Sequence, residues 1–285
     1  KLEEIKLNIK FKHWEKILKD RNKAMVVGVN KNAQWVPSII EIGKKNLKGK
    51  VRLKGNTADH WFWPKRWSLR IELNGKHTFQ GMKEFSLQRV GSRQFPADYL
   101  FQTWHRHLGG LAPRFNFVKV NVNGDNWGIM MMEEGLSKHF LEHAKRKDSP
   151  LVKLISTASE GGYFFTANRL YEGRLAPSVF YSKMNNYKPV LMSKKQMVKN
   201  SLQIDRYSYL KNALHDLHKG EIDSRTIFNI KSLILPCILA NVWGTSHTLA
   251  SQNTRYYFNP YSLLIEPITS DQTRMEMINK FENLN

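Results

Sequence analysis

Residues 49–75, GKVRLKGNTADHWFWPKRWSLRIELNG, decide the class of fold. Apolar residues alternate with basic and polar ones from 49 to 56 and again from 64 to 73, which is the period of a strand with one buried face. Asn74-Gly75 is a strong signal for a tight hairpin turn. The stretch therefore predicts consecutive antiparallel strands, continued by a further strand at 83–90.

The rest of the first 160 residues has the same character, with strands in the majority. The patterns predict a strand that runs into a helix at 1–24, strands at 24–30, 35–43 and 149–156, helices at 96–110 and 136–147, and a hairpin at 116–135. Asn123-Gly124 forms the turn of that hairpin.

Beyond residue 200 the pattern becomes helical, with helices predicted at 205–220 and 223–244 and a hairpin at 253–271. The prediction is an α+β chain of two lobes. It consists of a β-rich N-terminal lobe at 1–160, a polar insertion or lobe boundary at 161–200, and a mainly helical C-terminal lobe at 201–285. We expect the 285 residues to be part of a longer chain, because the first residue is Lys1.

Composition narrows the classes of protein. The single cysteine, Cys237, excludes a disulfide framework or a cysteine-based zinc site within the chain. No apolar run is long enough to predict a membrane span. Lys and Arg number 45 against 24 Asp and Glu, a formal charge of +21. Such a balance favours an anionic partner, including nucleic acid, although a solvated basic surface explains it equally well.

The stretch DHWFWPKRW, residues 59–67, interleaves aromatic with basic residues. This pattern is found in platforms on which single-stranded nucleic acid stacks. Packing of the tryptophans inside the lobe is the alternative, and it is the one we favour.

A β-rich lobe followed by a helical lobe is a common plan for phosphoryl transfer, which needs a cation for phosphates, a carboxylate to orient it, and an Asp with an Asn for a metal ion. Lys65 and Arg70 are the candidate cations, although by spacing alone an exposed basic face of a strand explains them better. Glu133 and Glu134 are the candidate carboxylates, although acidic residues also favour a helix N-terminus.

Asn253 and Asp271 stand at the two edges of the predicted hairpin, where their oxygens could meet a divalent ion. A turn-capping role for Asp271 explains its position as well as metal binding does. His247, upstream of Asn253, is a candidate base, although a single histidine near a helix end more often makes structural hydrogen bonds. There is no Walker-type phosphate loop, nucleophile elbow or HExxH motif.

Several of these stretches, in this order, resemble the CotH family, kinase-like proteins named after a spore coat protein. The similar stretches are VRLKGNTADHWFWPKRWSLRIEL at 51–73, VNVNGDNWGIMMMEEGLSKHFLE, SPLVKLIS at 149–156, and the helix, Asn, aromatic strand and P-x-x-x-D segment within 238–271. The resemblance covers roughly residues 49–155 and 223–272.

The resemblance implies an atypical protein-kinase-like fold that binds ATP with Mg²⁺ or Mn²⁺ and phosphorylates Ser or Thr of a partner protein. Lys65 or Arg70 resembles the phosphate-binding cation, and Glu134 its ion-pair partner. Lys153, in the similar strand, is included with the cofactor-binding residues. Asn253 and Asp271 resemble the metal ligands. A cell-envelope, extracellular or coat location is suggested by the resemblance alone.

One departure from the kinase pattern concerns the catalytic Asp, which usually precedes the metal-binding Asn by five residues. Counting back from Asn253 gives Thr248, and no residue from 241 to 252 is acidic. His247 is the remaining candidate base. Three hypotheses follow: an active kinase, a pseudokinase or scaffold without catalysis, and a polyanion or nucleic-acid binding module.

Overall fold

The computed structural model describes residues 2–156, 187–192, 200–250, 253–272 and 275. It is a mixed α+β structure, as the sequence predicts. Contacts divide the chain into two compact units, residues 1–96 with 113–143 and residues 97–112 with 144–285. The predicted division at residues 160 and 200 stays a prediction, and most of the predicted insertion lies outside the described residues.

The first unit is a closed barrel of seven strands in the order β1-β2-β3-β4-β5-β7-β6. Neighbouring strands are antiparallel except for β1 and β6, which are parallel. The strands are β1 (Glu4–Asn8), β2 (Val36–Ile42), β3 (Lys45–Leu53), β4 (Leu69–Leu73), β5 (Glu84–Gln88), β6 (Phe115–Val122) and β7 (Asp125–Glu134). The predicted turn at Asn123-Gly124 joins β6 to β7, and both residues have positive φ, as such a turn requires.

The apolar residues that alternate with polar ones along the strands point into the barrel interior. Val51, Leu53, Leu69 and Ile71 are fully buried in one hydrophobic cluster, as the alternation predicts. Helix α1 (Phe11–Val27) contributes Ile17 and Ala24 to that cluster, and a short helix, α3 (Lys138–His143), also belongs to this unit.

The strand predicted at 24–30 is wrong, because residues 24–27 are the last turn of α1 and Gly28 is its C-terminal cap. The apolar run Met25–Val27 indicated a strand by composition. In the structure these three side chains are exposed, and Gly28 ends the helix in the left-handed conformation (φ 78°).

The second unit contains a four-stranded sheet in the order β11-β10-β8-β9. Its strands are β8 (Leu151–Ser156), β9 (Tyr187–Leu191), β10 (Arg255–Asn259) and β11 (Leu264–Ile268), and its helices are α2 (Ala97–His107), α4 (Ser201–Lys219), α5 (Ser224–Ile227) and α6 (Ile230–Trp243). The predicted hairpin is formed by β10 and β11.

The helix predicted at 223–244 is two helices, each with its own N-cap. Asp223 accepts a hydrogen bond from the backbone N–H of Arg225 at the start of α5, and Asn229 accepts one from Ser232 at the start of α6. The two caps explain the break, because each begins a new helix. No helix among the described ranges combines the length and apolar character needed to cross a membrane.

Candidate nucleotide-binding site

A row of polar residues crosses the barrel on the outer face of four strands. Arg52 on β3 lies opposite Arg70 on β4, Arg70 opposite Ser86 on β5, and Ser86 opposite Glu133 on β7. Their apolar neighbours in sequence point into the barrel, because successive side chains on a strand alternate between its faces. The strand register therefore brings two cations and a carboxylate together from residues far apart in sequence.

Lys54, which follows the last residue of β3, completes this cluster. Its Nζ donates a hydrogen bond to Glu133 Oε2, and the Lys54 and Glu133 side chains are only 13% and 9% exposed. Gln88 Nε2 donates to the same carboxylate oxygen at 2.9 Å, and an Arg93 Nη2 lies 3.8 Å from the other one. A lysine held in one place by a buried carboxylate is the arrangement that a phosphate-binding cation needs.

The pKa values of this pair follow from burial and from charge. Burial acts to raise the pKa of Glu133, but the charges of Lys54 and Arg93 and the hydrogen bond from Lys54 outweigh it and lower the pKa to about 2. Burial lowers the pKa of Lys54 to about 8, against the opposing effect of Glu133. Both groups are therefore charged at neutral pH.

A tight turn after β3 fixes the position of Lys54. The Lys54 backbone N–H donates to the Ser68 carbonyl at 2.8 Å. Gly55 then adopts a left-handed conformation (φ 89°), and a Cβ there would lie 2.1 Å from the His60 ring. His60 Nδ1 is in turn 2.7 Å from Ser68 Oγ. Glycine is thus required at the turn that directs Lys54 to Glu133.

The residues predicted as cation and carboxylate have other partners. Lys65 is 60% exposed and its Nζ lies 2.8 Å from Asp125 Oδ1. Arg70 belongs to the polar row, where its Nε donates to Glu84 Oε1. The predicted ion pair of Glu134 with Lys65 or Arg70 is therefore not formed.

Glu134 forms a different ion pair, with Arg114. Its side chain is 1% exposed, and Arg114 donates from Nε to Oε2 at 2.9 Å and from Nη2 to Oε1 at 2.6 Å. The Arg114 backbone N–H adds a bond of 3.2 Å to Oε2. This bidentate ion pair provides hydrogen bonds to both oxygens of the buried Glu134 carboxylate.

The predicted metal ligands lie at the end of the β10–β11 hairpin in the second unit. Ser270 Oγ donates to the Asn253 carbonyl at 2.7 Å, so the residue before Asp271 is tied to Asn253. Asn253 Nδ2 donates to the His247 carbonyl at 2.9 Å, which leaves its Oδ1 as the side-chain atom suited to a cation. Asp271 is half-buried, with a left-handed backbone (φ 62°).

Helix α2 supports this hairpin end through buried polar side chains. Asp98 Oδ1 accepts from the Gln272 backbone N–H at 3.0 Å, so both neighbours of Asp271 are held. Thr269 Oγ1 donates to Gln102 Oε1 at 2.6 Å and lies 2.7 Å from His105 Nδ1. Burial lowers the pKa of His105 to about 4, so it is neutral there. The left-handed Asp271 is thus fixed by a defined network.

Thr248, at the position where kinases carry the catalytic Asp, has a structural role. It is fully buried, its Oγ1 donates to the Ser270 carbonyl at 2.9 Å, and its N–H donates to Gln272 Oε1 at 3.1 Å. His247 lies next to it in a 3-10 turn and is half-buried. Lys153 lies on β8, half-buried, opposite Arg255 of β10.

The hairpin end offers few side-chain ligands for a divalent ion. Across the described ranges, no three His, Cys, Asp or Glu side chains group closely enough to hold a metal ion by themselves. One carboxylate and one amide oxygen nevertheless fit Mg²⁺, which proteins bind through one or two carboxylates with water and substrate phosphates. Asn253 and Asp271 are the residues that would hold it.

The residues predicted from the sequence do not include Lys54, Gln88 or Arg93, which surround the Glu133 carboxylate. The alternation in GKVRLKGN already places Lys54 on the face opposite Val51 and Leu53. No local signal separates Glu133 from Glu134, because which of two adjacent carboxylates meets a lysine depends on the barrel register.

The chain is thus an α+β protein whose seven-stranded barrel carries a buried lysine–glutamate pair. The sequence model of the family described as CotH kinase protein matches residues 51–273. Because this match covers most of the chain, the chain belongs to the CotH kinase protein family.

A curated relative is inner spore coat protein H of Bacillus subtilis (strain 168), which is 23% identical over 121 residues. The alignment covers 42% of this chain and 33% of that protein, so the chain spans about a third of the relative's length.

Proposed function

We propose that this chain is a kinase-like domain that binds ATP with Mg²⁺ or Mn²⁺ and transfers the γ-phosphate to Ser or Thr of a partner protein. The observation that carries the proposal is the buried pair of Lys54 and Glu133 on the barrel face. Membership of the CotH kinase protein family supports it, as does the left-handed Asp271, whose neighbour Ser270 is hydrogen-bonded to Asn253. The proposed fold is the two-lobed atypical kinase plan.

The proposal assigns Lys54 and Arg70 to the phosphates, and Asn253 and Asp271 to the metal ion. Lys54, protonated at neutral pH and oriented by Glu133, contacts phosphate oxygens, and Arg70 adds positive charge beside it. In the second unit, Asn253 and Asp271 hold the metal ion, which when bound supplies positive charge for phosphoryl transfer. Catalysis then rests on positioning and electrostatics, which supply most of the rate of phosphoryl transfer.

The test is thermal unfolding with ATP, with and without Mg²⁺ or Mn²⁺. Ligand at about a hundred times its dissociation constant adds roughly 2.7 kcal/mol. For a chain of this size the midpoint should rise by roughly 5–10 °C. Asp271→Asn should lose the metal-dependent part of the shift, and Asn suits this position because it tolerates the left-handed backbone. An equal shift in wild type and Asp271→Asn would refute the metal site.

A second function, nucleotide binding without transfer, is favoured by Thr248. Its hydroxyl is buried and donates to a backbone carbonyl, so it is not disposed to accept a proton from a substrate hydroxyl. Incubation with γ-labelled ATP, Mn²⁺ and a generic Ser/Thr protein substrate separates the two functions. Label transfer that is lost in Asp271→Asn supports the kinase, whereas an ATP shift without transfer supports the pseudokinase.

A further inference from the structure

The loop Phe62–Arg66, which we call the aromatic tip, is anchored at both ends by buried tryptophans. Trp61 and Trp67 are 2% and 5% exposed and belong to the barrel cluster, whereas all five residues between them are exposed. Phe62 is 49% exposed and Trp63 43%. The predicted packing of the tryptophans is thus confirmed for the two anchors only, and the two aromatic residues after Trp61 are left to solvent.

Hydrogen bonds from Arg21 and Trp67 hold the backbone of the aromatic tip. The guanidinium of Arg21 on α1 donates to the carbonyls of Trp61, Phe62 and Trp63 at 2.8, 3.1 and 3.1 Å. Trp67 Nε1 also donates to the Trp63 carbonyl at 2.6 Å. A loop ordered before it binds loses little conformational freedom on binding. Two exposed aromatic rings on such a loop are therefore candidates for a binding surface.

The surroundings of the tip are basic. Lys65 and Arg66 are part of it, and the Arg89 guanidinium lies 4.2 Å from the Trp63 ring centroid. Of the acidic residues nearby, Asp125 is paired with Lys65, and Asp59 accepts a hydrogen bond from Thr57 Oγ1 and lies 3.7 Å from His60 Nε2. The chain as a whole carries +21. These charges favour an anionic partner and disfavour a second copy of the chain.

Helix α1, which carries Arg21, ends in exposed apolar residues. Met25 is four residues after Arg21, so it lies one turn further along the same helix face. Met25, Val26 and Val27 are 41%, 88% and 40% exposed. The tip itself offers apolar side chains next to cations, the combination that binds peripheral proteins to bilayer interfaces.

The ring geometry distinguishes a lipid surface from single-stranded nucleic acid. Successive bases need open ring faces on which to stack. One face of Trp63 is covered by Arg89, and Phe62 stands at 84° to Trp63. The pair therefore lacks two parallel free faces. Ring edges that enter the headgroup layer have no such requirement, and tryptophan is enriched at that depth in membrane proteins.

We propose that the aromatic tip docks this domain on an anionic lipid surface. Phe62 and Trp63 enter the interface between headgroups and acyl chains, and Lys65, Arg66 and Arg89 contact acidic headgroups. The proposal is independent of the nucleotide site, because it uses neither Lys54 nor Asp271.

The test is co-sedimentation of the full chain with vesicles of phosphatidylcholine, alone or mixed with phosphatidylserine. Wild type should bind the mixed vesicles, less so at high salt, and Phe62→Ser/Trp63→Ser should bind roughly tenfold more weakly. Arg66→Gln should bind several-fold more weakly. Phe11→Ser is the matched control, because Phe11 is 75% exposed at the other end of α1. It should bind as wild type does.

Several outcomes of these binding experiments would overturn the proposal. Failure of wild type to bind mixed vesicles, or binding of the double variant at wild-type strength, excludes the tip as a lipid-docking site. Equal binding to pure phosphatidylcholine removes the anionic specificity. Binding of oligothymidylate that is lost in the double variant, without vesicle binding, reassigns the tip to single-stranded nucleic acid. Unchanged thermal midpoints of the variants show that folding is intact.

Discussion

Replacing Lys54 with methionine separates the buried cation of the barrel from the exposed one. Lys54→Met keeps a long unbranched side chain but removes the charge that pairs with Glu133. Lys65→Met makes the same chemical change within the same unit, at an exposed pair with Asp125. The two variants therefore differ in environment and not in chemistry.

The magnitudes follow from burial. Removing one partner of a buried ion pair leaves an uncompensated charge at a cost of about 3–5 kcal/mol. Gln88 and Arg93 remain beside Glu133, so we expect Lys54→Met to cost about 2–4 kcal/mol. The exposed pair of Lys65 should contribute about 0–1 kcal/mol. Lys54→Met should thus lower the thermal midpoint by roughly 4–16 °C and Lys65→Met by a few degrees at most.

Tryptophan fluorescence during urea and thermal unfolding is the assay. Six of the eight tryptophans lie in the first unit, the exceptions being Trp104 and Trp243, so the signal reports mainly on the barrel. The double variant Lys54→Met/Glu133→Met should recover about 1–3 kcal/mol relative to the sum of the single variants. Equal losses in Lys54→Met and Lys65→Met, or strict additivity in the double variant, would refute the buried pair.

The other predictions concern pH, packing and a second buried ion pair. The pKa of Glu133 is lowered to about 2 from 4.5, and this shift corresponds to a stabilising contribution of about 3 kcal/mol. The contribution is complete above pH 4.5 and is lost as the pH falls toward 2. Urea unfolding at a series of pH values should show this loss of stability, and Glu133→Gln should make the stability less dependent on pH. Gly110→Ala places a Cβ 2.0 Å from His105 Nε2 and should cost about 1–3 kcal/mol, measured by the urea midpoint; a neutral result would contradict the close approach. Arg146→Met removes the 2.7 Å pair with Glu266, which is 1% exposed, and should cost about 2–4 kcal/mol by the same measurement.

Local pattern was sufficient where neighbouring residues in sequence pair with each other. The hairpins at Asn123-Gly124 and within 253–271 were predicted because two strands and their turn lie in one stretch. Helix α2 is predicted correctly because the signals for a helix also lie within one short stretch of sequence. The run at 24–30 was misread because its β-branched residues suggested a strand, whereas the buried residues Ile17 and Ala24 fix α1 against the barrel.

Only some residues of the candidate site could be predicted from the sequence. Asn253 and Asp271 were chosen for their oxygen ligands at hairpin edges, and their metal role stays a prediction. For the cation, the strand pattern and the resemblance offer Lys65 and Arg70, while Lys54 lies in the buried pair with Glu133. The partner of Lys54 is 79 residues away, so the pair depends on the register of β3, β4, β5 and β7.

The α+β class, most of the strands and the family can be predicted from the amino-acid sequence, because alternation, turn residues and ordered motifs are local properties. Only the folded structure shows that β1 pairs in parallel with β6 and so closes the barrel. The register of β3, β4, β5 and β7 separately sets which cation meets which carboxylate. Those contacts join residues distant in the chain, and their charges depend on burial. Two neighbouring glutamates, Glu133 and Glu134, therefore acquire different partners only when the strands are in register.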